Sequence, residues 1–315
     1  MRRITVVGPG RVGESTAQAL AREQLCRELV LLGRDDEAAR GVALDLQETA
    51  SLYGFDTRIQ GGADPALLAG SDLVIVTAGV PRQPGQSRLD LLETNRRVVE
   101  GIVDQVRRHA PEALLLVVTN PVDVLTYLAW RRSGWERRRV FGLSGVLDSA
   151  RMAAFVAEEA GLSVRDVSAL VIGGHGDAMV PLVRYSHVGG VPLERLLDRE
   201  RLEAIVERTR RGGAEILALK KTSSAYDAPA AAIAAMVDAV ARRRRRVLPC
   251  VAVLEGEYGE RDLALGVPVV LGGGGMERVL ELPLTAEERA MLQVSIDQVR
   301  EALAALAGGP QEKEG

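Results

Sequence analysis

The chain has 315 residues, of which 47% are hydrophobic and 26% are charged, and its formal net charge is −3. This length allows two folded units with a substantial core. The charge balance excludes a protein that holds nucleic acid or an anionic membrane surface through a general positive excess. Aromatic residues make up only 3% of the chain, and no apolar run approaches the roughly 18 residues that span a membrane. We therefore expect neither nucleic acid nor a membrane as a partner.

The start of the chain and its two cysteines predict a cytoplasmic protein. Residues 2–7 read as a strand from the outset, so we expect no signal peptide. Cys26 and Cys250 lie far apart in the sequence and in no metal-binding pattern. We expect them to be reduced thiols of the core, and we expect no metal site.

The first half of the chain alternates between short apolar runs and segments with helical periodicity. The apolar runs lack polar alternation, as strands buried on both faces do; they are residues 4–7, 29–32, 73–77 and 114–119. The helix candidates are residues 12–22, 37–49 and 91–108. This alternation predicts an α/β fold with a doubly wound parallel sheet, whose strand carboxyl ends meet at one ligand-binding edge.

Beyond about residue 141 the order of elements becomes mixed. Predicted helices are residues 149–160, 202–219, 229–241 and 286–306, and predicted strands are residues 169–172, 250–254 and 267–271. We predict a dinucleotide-binding domain over residues 1–143, a second α+β domain over residues 144–307 and a disordered tail over residues 308–315. The five arginines at 242–246 close a helix, which favours a solvated turn over an anion-binding patch.

The segment after the first strand has the spacing of a phosphate-binding turn that opens a helix. It reads Gly8-Pro9-Gly10-Arg11-Val12-Gly13. Gly8 allows a tight turn, Gly10 lets the backbone approach a pyrophosphate, and Gly13 lets helix and strand pack closely. The start of the helix offers free N–H groups and the positive end of its dipole to the phosphates. We therefore predict that residues 8–13 bind a dinucleotide cofactor.

The second strand ends without the acidic residue that usually binds the adenine ribose hydroxyls about 20 residues beyond such a turn. Gly33 stands at this position and Arg34 follows it. A glycine leaves room for a 2′-phosphate and an arginine can pair with one, so the sequence permits NADP(H) beside NAD(H). If the turn is shifted, Asp35 or Asp36 reaches the ribose instead, and the choice stays open.

A carboxylate, a guanidinium and an imidazole framed by glycines occur in the second half. Asp148 and Arg151 lie one turn apart at the start of a predicted helix, and His175 lies in the segment Gly173-Gly174-His175-Gly176-Asp177. Taken singly, such residues are often helix caps or loop residues. Together they are the groups that move a proton on and off a hydroxyl beside an anionic group, which indicates oxidation of a small 2-hydroxy acid.

These segments resemble the lactate/malate dehydrogenase family, in particular its malate dehydrogenases that lie close in sequence to lactate dehydrogenases. The resemblance extends from Gly8 to Leu306 and rests on residues 79–88, 118–121, 147–151 and 173–177. It implies a Rossmann domain, a nicotinamide cofactor, a role in the tricarboxylic acid cycle and a homodimer or homotetramer. The amphipathic helices at 37–49 and 202–219 are the candidate interfaces between subunits.

The resemblance also implies the roles of individual residues. His175 exchanges the hydroxyl proton, and Asp148 orients its imidazole and stabilises the charged ring. Arg151 holds the C1 carboxylate of the substrate, and Asn120 contacts a substrate oxygen near the nicotinamide. Besides the turn and Gly33-Arg34, the implied cofactor contacts are Thr77, Ala78, Gly79, Asn95, Val118 and Asn120.

The segment at about 80–90 resembles the mobile lid of this family, which closes over the substrate and excludes water. Arg88 would polarise the C2 carbonyl. Arg82 stands where lactate dehydrogenases usually carry glutamine and malate dehydrogenases arginine. It would pair with the second carboxylate of a dicarboxylic 2-hydroxy or 2-oxo acid, because an unpaired buried charge is costly. Gln83 follows it, so a shift of one residue would predict lactate.

We therefore predict reversible hydride transfer between (S)-malate and oxaloacetate. The alternatives are a lactate or broader 2-hydroxy-acid dehydrogenase and, more remotely, a non-catalytic nucleotide-binding sensor.

Overall fold

The computed structural model of the chain describes residues 1–80 and 88–307, and at residues 88 and 307 it describes the backbone alone. Its helices are α1 (Arg11–Arg22), α2 (Asp36–Glu48), α3 (Ala50–Tyr53), α4 (Arg88–His109), α5 (Val122–Ser133), α6 (Gly145–Ala160), α7 (Arg199–Lys220), α8 (Asp227–Ala241) and α9 (Ala286–Ala307). Its strands are β1 (Arg3–Val7), β2 (Glu28–Leu32), β3 (Arg58–Gly62), β4 (Leu73–Val76), β5 (Leu114–Val117), β6 (Val140–Gly142), β7 (Val167–Ser168), β8 (Val171–Ile172), β9 (Val180–Pro181), β10 (His187–Val188), β11 (Val191–Pro192), β12 (Arg246–Glu255), β13 (Arg261–Gly272) and β14 (Gly275–Val279). The tail at 308–315, predicted to be disordered, lies outside the described residues.

Within the described residues, the main sheet has nine strands in the order β14-β13-β12-β6-β5-β4-β1-β2-β3. The strands from β1 to β6 are parallel to one another and follow the order 3-2-1-4-5-6. This is the order of doubly wound dinucleotide-binding folds. The predicted fold class is confirmed.

The second half of the chain extends the same sheet. Strand β12 pairs antiparallel to β6 through Ala252 and Phe141, and β13 and β14 follow it, also antiparallel. Two short antiparallel sheets, β11-β10-β7 and β8-β9, lie beside this extension. The predicted mixed order of elements in this half is therefore also observed.

Two strands and two helices of the first half were missing from the sequence prediction: β3, β6, α3 and α5. The sequence of β3, Arg-Ile-Gln-Gly-Gly, has no apolar run because β3 is an edge strand with partly exposed side chains. A Cβ atom at Gly61 would lie 2.0 Å from the carbonyl oxygen of Ala39. Gly61 thus lets α2 pack directly on this strand, which is a tertiary reason for a residue that disfavours strands.

The arginines at 242–245 form a turn between α8 and β12, and Arg246 is the first residue of β12. Arg242 and Arg244 both pair with Asp238, at 3.2 Å and 3.0 Å, and Arg245 pairs with Glu277 at 2.8 Å. All five residues are exposed. The predicted solvated turn is confirmed, and three of its five charges are already paired within the chain.

Among the described segments, no helix combines the length and the hydropathy needed to cross a membrane. The same segments bring no group of three or more His, Cys, Asp or Glu side chains together as a metal site would. Cys26 and Cys250 are free and buried, as predicted. Burial raises the pKa of Cys26 to about 12, which keeps it as an unreactive thiol.

Candidate active site

His175 and Asp148, which the sequence analysis pairs, lie within hydrogen-bond distance of each other. Nδ1 of His175 is 2.8 Å from Oδ2 of Asp148. The Asp148 side chain is 1% exposed and the His175 ring is 18% exposed. Because an ionised carboxylate can only accept, Nδ1 is the donor, and Nε2 is left as the nitrogen that accepts a proton.

The segments that carry this pair are docked against each other by a glycine and a serine of α6. A Cβ atom at Gly145 would lie 2.4 Å from the carbonyl oxygen of Val171 in β8, so only glycine allows this approach. The Ser149 hydroxyl accepts the N–H of Val171 at 2.9 Å. Strand β8 leads directly into the loop of His175, and the position of α6 therefore sets the distance between Asp148 and His175.

Arg151 binds the second oxygen of the Asp148 carboxylate. Its guanidinium Nη1 donates to Oδ1 of Asp148 at 3.0 Å. Its Nε is buried and has no hydrogen-bond partner among the described residues. Asp148 thus fixes both the imidazole and the guanidinium from one side chain, and the guanidinium has donors left for an anionic ligand.

Asp123 is a site residue that sequence reasoning missed. Its Oδ2 accepts the backbone N–H of His175 at 2.9 Å, and its Oδ1 is buried without a partner among the described residues. Burial raises the pKa of Asp123 to about 6. The sequence signal lies three residues beyond Asn120, where an acidic residue interrupts the apolar start of α5.

Burial and three charged neighbours set the pKa of the His175 imidazole. Burial alone lowers this pKa, whereas the charge and the hydrogen bond of Asp148 raise it. Asp123 raises it further and Arg151 lowers it, and the net pKa lies above the ordinary value for histidine. The ring is therefore suited to retain a proton taken from a hydroxyl group.

The glycines of residues 8–13 have the geometry that their spacing predicts. Gly8 has φ of +100°, and a Cβ atom there would lie 2.5 Å from the backbone nitrogen of Ala78. A Cβ atom at Gly13 would lie 2.2 Å from the carbonyl oxygen of Gly8, whereas one at Gly10 meets nothing within 4 Å. Helix α1 starts with no side-chain cap. The first turn of α1 therefore has no side-chain acceptor for its N–H groups, and the space beside Gly10 is open, which fits the pyrophosphate of a dinucleotide.

The other predicted cofactor residues gather around the carboxyl ends of β1, β4 and β5. The Thr77 hydroxyl donates to the carbonyl oxygen of Gly8 at 2.8 Å. The backbone N–H of Val118 donates to Val76 at 2.9 Å. Arg11 is exposed at the start of α1, with its guanidinium carbon 5.8 Å from the centre of the Tyr226 ring. Val12 packs against the core.

Asn95 is buried between two of these segments. Its Oδ1 accepts the N–H of Val80 at 2.8 Å, and its Nδ2 donates to the carbonyl oxygen of Asn120 at 2.9 Å. A Cβ atom at Gly79 would lie 2.5 Å from the Thr119 side chain, so the segment passes close to the end of β5. The Asn95 amide is thus engaged by the backbone of the chain itself, and it supports Val80 and Asn120.

Gly33 faces the phosphate-binding turn. A Cβ atom there would lie 3.3 Å from Cγ of Pro9. Asp35 caps α2 by accepting the N–H of Ala38 at 3.0 Å, and Asp36 accepts the N–H of Ala63 at 3.1 Å. Both carboxylates are engaged locally, which disfavours the alternative in which one of them replaces the missing ribose anchor.

Two predicted substrate residues fall in the segment that the sequence predicts to be a lid. Arg82 lies outside the described residues, and so does the side chain of Arg88, whose backbone begins α4. Of the predicted catalytic and substrate-binding side chains, the structure describes His175, Asp148, Arg151 and Asn120, and it joins the first three by direct contacts.

Two protein-family models, one for each of two domains, together match nearly the whole chain. Residues 2–142 match the NAD binding domain of lactate/malate dehydrogenase, and residues 145–307 match its alpha/beta C-terminal domain. The fold and the matched domains define an oxidoreductase of the nicotinamide-dependent dehydrogenase class. The chain belongs to the lactate/malate dehydrogenase family.

Similar proteins carry names from both branches of this family. Malate dehydrogenase from Thioalkalivibrio sulfidiphilus is 62% identical over 96% of this chain and 98% of its own length, and that from Nitrosococcus oceani is 58% identical over 98% and 99%. The structure of malate dehydrogenase from Salinibacter ruber matches with a TM-score of 0.93 at 45% identity, covering 97% of each chain. The lactate dehydrogenase from Cryptosporidium parvum, complexed with lactic acid and NAD, matches with a TM-score of 0.94 at 37% identity, covering 98% of this chain and 99% of that one.

Proposed function

We propose that this protein catalyses the reversible oxidation of (S)-malate to oxaloacetate with a nicotinamide cofactor. The observation that carries the reaction type is the 2.8 Å contact between His175 and Asp148, with Arg151 on the other oxygen of the same carboxylate. Malate is favoured over lactate by Arg82 in the sequence and by relatives named malate dehydrogenase at 62% and 58% identity.

His175 carries the proton in this reaction. In malate oxidation its Nε2 accepts the proton of the C2 hydroxyl, and Asp148 stabilises the imidazolium through Nδ1. When bound, the cofactor supplies the acceptor for the hydride that leaves C2. In oxaloacetate reduction the imidazolium returns the proton to the C2 oxygen.

The remaining groups orient the substrate. Arg151 pairs with the C1 carboxylate, and its contact with Asp148 keeps it beside the imidazole. We assign the C2 oxygen to Arg88 and Asn120 and the second carboxylate to Arg82. Residues 8–13, 77–79 and 118–120 hold the cofactor, with Asn95 supporting the last two segments.

The (S)-malate reaction itself is the first test of the proposal. We expect reduced nicotinamide to accumulate with (S)-malate and NAD⁺, and oxaloacetate to form in equal amount. (R)-malate serves as the control, since it places the C2 hydrogen on the wrong side when both carboxylates are held. Accumulation with (S)-lactate but not with (S)-malate would replace the proposal by a lactate dehydrogenase.

The pH dependence of the two directions follows from the raised pKa of His175. Malate oxidation needs the neutral ring and oxaloacetate reduction needs the charged ring. We therefore expect kcat/KM for malate to rise, and kcat/KM for oxaloacetate to fall, as pH increases through a value above the ordinary histidine pKa of about 6.5.

The variant Asp123→Asn tests the cause of the raised pKa of His175. Asparagine keeps an acceptor for the backbone N–H of His175 but removes one of the negative charges that raise the pKa of its ring. Both pH profiles should move to lower pH. Profiles that stay in place would show that Asp123 does not act on the imidazole.

We propose that the protein accepts NADP(H) as well as NAD(H), because position 33 carries no carboxylate and Arg34 adjoins it. The variant Gly33→Asp should lower kcat/KM for NADPH relative to NADH by roughly 10-fold or more, since a carboxylate there repels the 2′-phosphate. Gly33→Asn is the matched control: its side chain has nearly the same size and no charge. An unchanged NADPH/NADH ratio in Gly33→Asp would contradict this assignment of position 33.

We also propose that the protein is a homodimer or a homotetramer. We propose further that its first domain ends at residue 143 and its second domain begins at residue 144. Apolar side chains are exposed on both helices assigned to the interfaces: Leu44 on α2, and Leu217 and Leu219 on α7. Sedimentation of the purified protein decides between the two assemblies and the monomer.

A further inference from the structure

Helix α7 carries two adjacent glycines in its interior, Gly212 and Gly213. Glycine weakens a helix interior relative to alanine because it costs more backbone entropy. Neither residue has a positive φ, so backbone conformation does not require glycine at these positions. The reason for at least one of them must lie in what packs against the helix.

Arg151 packs against Gly212. A Cβ atom at Gly212 would lie 3.2 Å from Cδ and 3.7 Å from Nε of Arg151. At Gly213 the nearest atom to such a Cβ is a terminal nitrogen of Arg151, at 4.0 Å, which is an ordinary contact. The two glycines are therefore not equivalent, and only Gly212 lies in close contact with the arginine.

Arg151 is also held by Asp148. Nη1 donates to Oδ1 of Asp148 at 3.0 Å, and the side chain is only 12% exposed. A side chain at position 212 would displace Arg151 from its present position beside Asp148. The guanidinium has little freedom to move aside without losing this pairing.

Helix α7 is itself attached to the loop of His175. Arg210 donates from Nε to the carbonyl oxygen of Met179 at 3.3 Å, and its Nη2 contacts Sδ of Met291 in α9 at 3.3 Å. Retreat of α7 from Arg151 would break these contacts. A clash at position 212 is therefore relieved by movement of Arg151 rather than of the helix.

We propose that Gly212 is a positioning residue of the substrate-carboxylate site. Its missing side chain sets where the Arg151 guanidinium lies relative to His175, and thus where the C1 carboxylate is bound. This inference rests on the proposed function, in which Arg151 binds that carboxylate.

The matched pair Gly212→Ala and Gly213→Ala tests this inference in the complete protein. Gly212→Ala should raise KM for malate and for oxaloacetate by roughly 3- to 10-fold, because a displacement of a few tenths of an ångström misaligns the substrate. The Kd for NADH should stay at the wild-type value. Gly213→Ala should leave KM within about twofold of wild type, since it adds the same methyl group to an ordinary contact.

Thermal unfolding gives a second readout that does not depend on turnover. Gly213→Ala should raise Tm through better helix propensity, and Gly212→Ala should raise it less or lower it. In an Arg151→Ala background this difference should disappear, as a double-mutant cycle between contacting residues requires. This comparison also keeps the inference testable if Gly212→Ala folds poorly.

Three outcomes separate this inference from the proposed function. If Arg151→Gln raises KM strongly and Gly212→Ala does not, the role of Gly212 is wrong and the carboxylate site stands. If Arg151→Gln leaves KM unchanged, the assignment of Arg151 fails, and the role of Gly212 fails with it. Equal effects of the two alanine variants on KM would indicate helix flexibility instead of clearance, and would also overturn the inference.

Discussion

The variant His175→Asn is expected to lower kcat in both directions by about 10³- to 10⁴-fold. Asparagine preserves the backbone N–H that donates to Asp123, so the loop keeps its anchor, but it provides no group that exchanges a proton. The Kd for NADH should be retained, because the cofactor turn at 8–13 lies on different elements. Fluorescence titration with NADH serves as the folding and binding control.

Turnover close to that of the wild type in His175→Asn would contradict the assignment of the proton to this residue. A parallel loss of NADH binding would indicate that the loop had collapsed. In that case Asp148→Asn provides the same test from the other partner of the 2.8 Å contact, because it leaves the imidazole in place without its carboxylate.

The variant Arg82→Gln is expected to lower the ratio of kcat/KM for oxaloacetate to that for pyruvate by about 10²-fold or more. The second carboxylate of oxaloacetate would then enter a water-excluded site without an opposite charge, at a cost of several kcal/mol. The methyl group of pyruvate is no longer faced by an unpaired arginine. Initial rates with both substrates measure the change.

Gln83→Ala is the matched control for this variant, because it changes the next residue of the same segment. If Arg82 selects the substrate, Gln83→Ala leaves the ratio near that of the wild type. A ratio that changes in Gln83→Ala and not in Arg82→Gln would show that the register of the lid is shifted by one residue, and that the specificity argument is wrong.

Four of the six parallel strands, β1, β2, β4 and β5, could be predicted from the sequence because they are apolar runs buried on both faces, whereas β6 is buried but only three residues long. Strands β4 and β5 are fully apolar runs with buried side chains. The edge strand β3 could not be predicted in this way, because its glycines serve the packing of α2 and its side chains alternate between exposed and half-buried positions. Helix α5 was not predicted from the sequence, because its apolar start directly follows the predicted strand and the Asn120-Pro121 turn.

The residues of the candidate site likewise divide into those that the sequence predicts and those that it does not. The three-residue spacing places Asp148 and Arg151 on one helical face, and the family resemblance implies the pairing of Asp148 with His175. The acidic residue in the apolar start of α5 marks Asp123 as unusual, but no residue pattern shows that it binds a backbone N–H 52 residues away. The proposed role of Gly212 depends on the absence of a side chain. In the sequence, this glycine indicates only a lower helix propensity.

The pair of His175 and Asp148 is positioned by residues from across the chain. Gly145 and Ser149 dock α6 on β8, Asp123 holds the His175 backbone from α5, and Ser295 of α9 accepts the N–H of Gly174 at 3.0 Å. Elements from both halves therefore meet at the imidazole. The geometry of the His175–Asp148 pair therefore depends on the whole fold and not on the loop of His175 alone.

The most direct test of the account is the measurement of initial rates with oxaloacetate and with pyruvate, each at saturating NADH. We expect kcat/KM for oxaloacetate to exceed that for pyruvate by about 10²-fold or more, because only oxaloacetate pairs with both Arg82 and Arg151. Equal values, or a preference for pyruvate, would contradict malate as the substrate of this protein.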